Sequence, residues 1–141
     1  MKRIIALLLA VMLCAALVAC GGGSDNNGSN VTTKLEEFLN SADGKEFCNN
    51  FKTSAEAGGN CTADCYVEGD TLVFSATFTQ DIPESSMDTV KQALVEAVKD
   101  ESFKSLFDNI KPAINAAVGT DVKLKLVFMA KDGTVLYESY M

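Results

Sequence analysis

Five cysteines and no histidine define the chemistry open to this 141-residue chain. Histidine is the side chain most used for proton transfer near neutral pH and the commonest transition-metal ligand. Its absence removes triads of the Ser-His-Asp and Cys-His kinds and most zinc sites. A Ser–Lys dyad or a carboxylate pair stays formally open, but no residues are grouped to suggest one. No catalytic residue, metal ligand or cofactor is therefore assigned. Thiol chemistry is what remains, carried by Cys48, Cys61 and Cys65. Cys61-Thr62-Ala63-Asp64-Cys65 puts three residues between its thiols, where redox motifs of the Cys-x-x-Cys type have two, and no βαβ pattern surrounds it. A structural role for these cysteines is expected ahead of a catalytic one.

The other two cysteines belong to the N-terminal segment. Lys2 and Arg3 precede an apolar run from Ile4 to Leu17, which closes on Leu17-Val18-Ala19-Cys20. A basic start followed by a short apolar stretch reads as a secretory signal, and the run is shorter than the roughly 18 residues of a spanning helix. The closing residues resemble the lipobox of bacterial lipoproteins. That resemblance implies cleavage before Cys20, removal of residues 1–19 with Cys14, and a diacylglyceryl group, with palmitate-type acyl chains, on the Cys20 thiol. Two acyl chains anchor a protein stably, whereas one holds it only reversibly. The expected location is the outer face of the cytoplasmic membrane, with the membrane itself as the first partner. Residues 20–31, rich in Gly, Ser and Asn, read as the lipidated cysteine and a flexible tether.

Without Lys2 and Arg3, ten lysines face nineteen acids, a net charge of −9, and no Arg, His or Trp remains. Nucleic-acid binding depends on cationic patches that release counterions from phosphates, so it is not expected. Residues 32–141 are long enough for one domain with its own core.

The elements that must position the thiols follow from periodicity. Thr33 and Glu36 fit a capping box, and Leu35, Phe38 and Leu39 stripe a first short helix that Asp43-Gly44 interrupts. A second helix is expected from about Lys45 to Ala57, with Phe47, Cys48 and Phe51 on one face and Gly58-Gly59 as its stop. Cys61, Ala63, Cys65 and Val67 then alternate as a strand. A Gly69-Asp70 turn leads to Leu72, Phe74, Ala76 and Phe78, with Val67 opposite Leu72 and Cys65 opposite Phe74. A long helical stripe begins near Pro83 with Met87, Val90, Leu94 and Val98 and resumes at Phe103, Leu106, Phe107 and Ile110. Pro112 is expected to end or restart it before a last short helix through Val118. Val122, Leu124, Leu126, Phe128 and Ala130 form a third strand. An Asp132-Gly133 turn would set Phe128 opposite Tyr137 and Ala130 opposite Val135, with Glu138 near Lys125 outside.

The order is α-α-β-β-α-α-β-β, an α+β fold in which a four-stranded, mainly antiparallel sheet carries helices on one face. Its outer face would hold Ser75, Thr77, Thr79, Lys123 and Lys125 together with Val73, Val127, Met129 and Leu136.

This arrangement selects a disulfide. Cys48 lies nine residues before Ala57, about 13.5 Å along a helix. Cys65 lies four residues into the strand from Cys61, about 13 Å. Helix and strand run back alongside one another, so Cys48 and Cys65 sit level. In an oxidising compartment a Cys48–Cys65 bridge is expected, leaving Cys61 free, with Cys48–Cys61 as the alternative if the helix ends elsewhere.

Leu35-Glu36-Glu37-Phe38, Thr71-Leu72-Val73-Phe74, Val122 to Phe128 and Lys131-Asp132-Gly133-Thr134-Val135-Leu136-Tyr137, with the lipobox, resemble a family of small Gram-positive, clostridial-type lipoproteins defined as a domain of unknown function. The resemblance spans nearly the whole chain and implies a fold but no activity, and the three later cysteines depart from it. The expected function is a non-enzymatic binding or interaction module tethered at the cell surface, its partner an envelope protein, a cell-wall component or a small ligand. An envelope thiol or redox protein, or another small enzyme, is the alternative. A solute-binding transport component would need a second lobe.

Overall fold

The computed structural model describes residues 31–141. The signal, Cys14, Cys20 and the tether up to residue 30 lie outside the described residues. Four helices and four strands follow in the order α1 (Val31–Asn40), α2 (Ala42–Glu56), β1 (Cys61–Glu68), β2 (Thr71–Phe78), α3 (Glu84–Val98), α4 (Glu101–Val118), β3 (Lys123–Met129) and β4 (Val135–Tyr140). The strands lie in the order β1-β2-β3-β4. β1/β2 and β3/β4 are antiparallel hairpins. β2 and β3 run parallel, which the α3–α4 crossover makes possible.

The first hairpin has the register its alternation predicts, Val67 with Leu72 and Cys65 with Phe74. Gly69 takes φ +61°, and among the described residues no non-glycine has a positive φ, the pattern of a type II′ turn. Leu72, Phe74, Leu124, Leu126 and Phe128 face a core closed by Leu35, Phe51, Leu94, Phe107 and Ile114 from the helices. Phe74 is its centre. Its ring meets Phe47, Phe51 and Phe107 edge-on, with centroids 5.7, 5.3 and 5.8 Å away, the arrangement aromatic quadrupoles favour.

Four local features differ from the sequence reading. Asp43-Gly44 does not interrupt the helices; Ser41 does. Its extended backbone breaks the chain, and its hydroxyl accepts the Gly44 N–H at 3.1 Å as the cap of α2. Gly44 lies inside α2, where α1 passes so close that a Cβ would overlap the Phe38 carbonyl oxygen.

The long stripe breaks at Lys99-Asp100 and not at Pro112, which sits inside α4. An interior proline costs about 3 kcal/mol. Continuing the helix beyond it buries Ile114 and Val118, about 1.5–3 kcal/mol each. Packing outweighs the break.

The second hairpin keeps Phe128 opposite Tyr137, but Met129 and not Ala130 meets Val135. Leu136 is the extra residue of a bulge and turns into the core instead of lying outside. The turn lengthens by one residue accordingly. Gly133 N–H bonds Ala130 O, Ala130 N–H bonds Thr134 O, and Gly133 takes φ +87°, the form of a three-residue loop.

Finally, Val73 and Val127 on the outer face are buried.

Candidate functional site

Two groups of side chains stand out. The first joins α2 to the edge strand β1. Glu56, Lys52 and Cys48 are spaced one helical turn apart and form a single stripe on α2. Each meets a residue of β1. Glu56 Oε1 accepts the Ala63 N–H at 2.9 Å, satisfying a donor of the open strand edge. Lys52 Nζ lies 2.8 Å from the Asp64 carboxylate. The Cys48 and Cys65 thiols are hydrogen-bonded to each other. Three successive contacts thus pin the helix to the strand.

The electrostatics of the pair are asymmetric. The Cys65 S–H donates toward the Cys48 sulfur and draws the Cys48 thiol below its ordinary pKa. Burial opposes the shift, the Lys52 ammonium adds to it, and Asp64 weakens it. Cys65 moves the other way, well above its ordinary value: its proton is held by Cys48, burial penalises its thiolate, and the charges of Cys48 and Asp64 repel one. Lys52 is raised chiefly by its hydrogen bond to Asp64. Both thiols of the pair are half-buried, whereas Cys61 is 4 % exposed and raised by burial alone.

The covalent bridge expected from the sequence is not present. Cys48, Cys61 and Cys65 are all free thiols. Of the two partners open to Cys48, the one at its side is Cys65. Cys61, four residues away along the same strand face, is separated from Cys65 by about 13 Å. Residue spacing gave no hint of Lys52 and Asp64 as neighbours of the pair, because the helix–strand crossing that brings them together is tertiary.

The second group lies on the sheet face turned away from the hydrophobic core. The strand registers place Tyr66, Val73, Lys125 and Tyr140 in one row across all four strands. Val73 is fully buried beneath it, while Tyr66 and Tyr140 are 40 % and 64 % exposed. Lys125 Nζ stands 3.1 Å from Glu138, 3.6 Å from Glu68 and 5.8 Å from the centre of the Tyr140 ring. Its pKa is raised, first by the Glu138 hydrogen bond. A second pair, Lys123 with Asp70 at 2.6 Å, closes one side of the row. Solvent screens such surface pairs, so they organise the face more than they hold the fold.

Residues 35–140 match the family model described as "Domain of unknown function (DUF4854)". The chain belongs to this family. The match covers every strand and all but the first turn of α1, so the DUF4854 domain is the α+β unit described here. No curated protein and no solved structure matches the chain. Among the described residues of this DUF4854 member, no group of three or more His, Cys, Asp or Glu side chains is placed to hold a metal ion. No described helix is long and apolar enough to cross a membrane.

Proposed function

We propose that the protein is a lipid-anchored lipoprotein of the Gram-positive, clostridial type, held by Cys20 at the outer face of the cytoplasmic membrane and acting as a non-enzymatic binding module. The apolar run ending in Leu17-Val18-Ala19-Cys20 supports the anchor. The net negative charge keeps the domain off anionic headgroups. One observation carries the binding reading: the row of Tyr66, Lys125 and Tyr140 on the sheet face turned away from the hydrophobic core, with both rings exposed. Tyrosine supplies large contact area with a polar tip and is enriched at protein interfaces. The two rings stand three strand spacings apart, about 14 Å. That span suits the surface of an envelope protein better than a small ligand.

Two experiments test this. Replacing Cys20 with Ser should abolish incorporation of radiolabelled palmitate and membrane retention; equal labelling of the variant would refute the anchor. A photo-crosslinking residue at 66 or 140, in intact cells, should give one discrete protein adduct, and the same residue at the exposed helix position 92 should give none. Adducts that collapse on peptidoglycan digestion would assign the face to a cell-wall polymer instead. The second reading, an envelope thiol protein, is favoured by the Cys48–Cys65 contact.

A further inference from the structure

We propose that Cys48 and Cys65 form a dithiol that exchanges with disulfides, Cys48 attacking and Cys65 resolving, and that the intramolecular disulfide so formed locks α2 to the edge strand β1. The inference is independent of the binding reading, because the dithiol joins the strand to the helices on the opposite side of the sheet from the tyrosine row.

Geometry comes first. The contacts Glu56–Ala63, Lys52–Asp64 and Cys48–Cys65 hold the two sulfurs against one another from facing elements. The flanking residues carry the attachment whether or not a covalent bond joins the pair. Half-burial leaves the sulfurs open to a small reagent, while Cys61 is enclosed in the core.

The chemistry divides between the two thiols. Cys48 is the one whose ionised form is favoured, by the Cys65 S–H and by the Lys52 ammonium one turn along the helix. Thiolate is the nucleophile in exchange. After Cys48 gives its proton to water, its sulfur attacks one sulfur of the incoming disulfide. A Cys48–S–S–R bond forms, and the R–S⁻ group leaves with the electron pair of the broken bond. That step removes the Cys48 charge and the hydrogen bond that held the Cys65 proton. Cys65 then loses its proton to the released thiolate or to water and attacks the Cys48 sulfur. The mixed disulfide breaks, and the second thiolate leaves. Two electrons pass from the dithiol to the reagent, which becomes two thiols, and both cysteine protons end on the products or solvent.

The test uses the full chain and oxidised glutathione as the disulfide, with acid quenching, alkylation and peptide mapping. The expected product is a Cys48–Cys65 linked peptide, with Cys61 alkylated as a free thiol. Cys65→Ser should stop at a glutathione adduct on Cys48, and Cys48→Ser should form neither. A measurement needing no variant protects against misfolding. At pH 7 in the native chain, iodoacetamide should modify Cys48 roughly tenfold faster than Cys61. The midpoint of its pH profile should lie below that of the same thiol in denatured chain and rise in Lys52→Met. A bridge through Cys61, a glutathione adduct that persists on wild-type Cys48, or a Cys48 pH profile equal to that of the denatured chain would each overturn the proposal.

Discussion

Replacing Gly44 with Ala sets two effects of opposite sign against each other. Gly44 lies in α2, and in a helix Ala is favoured over Gly by about 1 kcal/mol. Propensity alone therefore predicts stabilisation. The structure predicts the reverse. A Cβ at Gly44 would overlap the Phe38 carbonyl oxygen, stand 2.7 Å from its carbon and reach 3.0 Å from the Leu39 Cα. All three atoms are backbone of α1, so no side-chain rotation relieves the contact. Relief requires α1 and α2 to separate, and Leu35 on α1 and Phe51 on α2 are both in the core. Overpacking of this kind costs about 1–3 kcal/mol, with backbone contacts toward the upper end. Subtracting the propensity gain leaves a net loss of about 1–2 kcal/mol, or a fall in Tm of roughly 4–10 °C for a domain of this size. Thermal unfolding followed by far-UV circular dichroism measures it, with Asn49→Ala at an exposed position of the same helix as control. Unchanged or raised stability in Gly44→Ala would refute the close helix approach.

Gly133→Val places a β-branched residue at φ +87° and should destabilise by about 1–3 kcal/mol in urea unfolding, well beyond an ordinary surface change; an unchanged midpoint would mean a different loop. Pro112→Ala restores a backbone donor at an exposed site in the middle of α4 and should raise stability by about 1 kcal/mol or more in the same assay; a loss would show that the proline is locally accommodated. Oxidised chain with the Cys48–Cys65 bond should melt higher than reduced chain, by up to about 3 kcal/mol in stability, and no difference would mean that the flanking contacts already restrict α2 fully.

The α+β class, the number and order of elements and the register of the first hairpin were legible because each rests on local periodicity. Cys61, Ala63, Cys65 and Val67 alternate, and a two-residue turn leaves only one register that puts them on the side of Leu72 and Phe74. The same logic paired Phe128 with Tyr137 and brought Glu138 to Lys125. Where a local signal competed with packing, packing prevailed. Gly44 reads as a helix breaker, yet it serves a helix crossing that spacing does not encode. Pro112 reads as a stop, yet the buried positions beyond it keep α4 going. Asp132-Gly133 reads as a two-residue turn, yet Leu136 gains more by turning inward and shifts the register.

The candidate sites divide along the same line. Sequence by itself determined that the only reactive side chains of note are thiols, and that histidine-based chemistry is absent. It also placed Cys65 on the core side of its strand and Cys48 on the apolar face of its helix. The tertiary structure decided between Cys65 and Cys61 as the neighbour of Cys48 and set Lys52 and Asp64 beside the pair, because the angle at which a helix crosses a strand depends on the whole core. The tyrosine row is likewise tertiary. Tyr66 and Tyr140 lie 74 residues apart in the sequence, and they share a row only because the parallel pairing of β2 with β3 aligns the two hairpins.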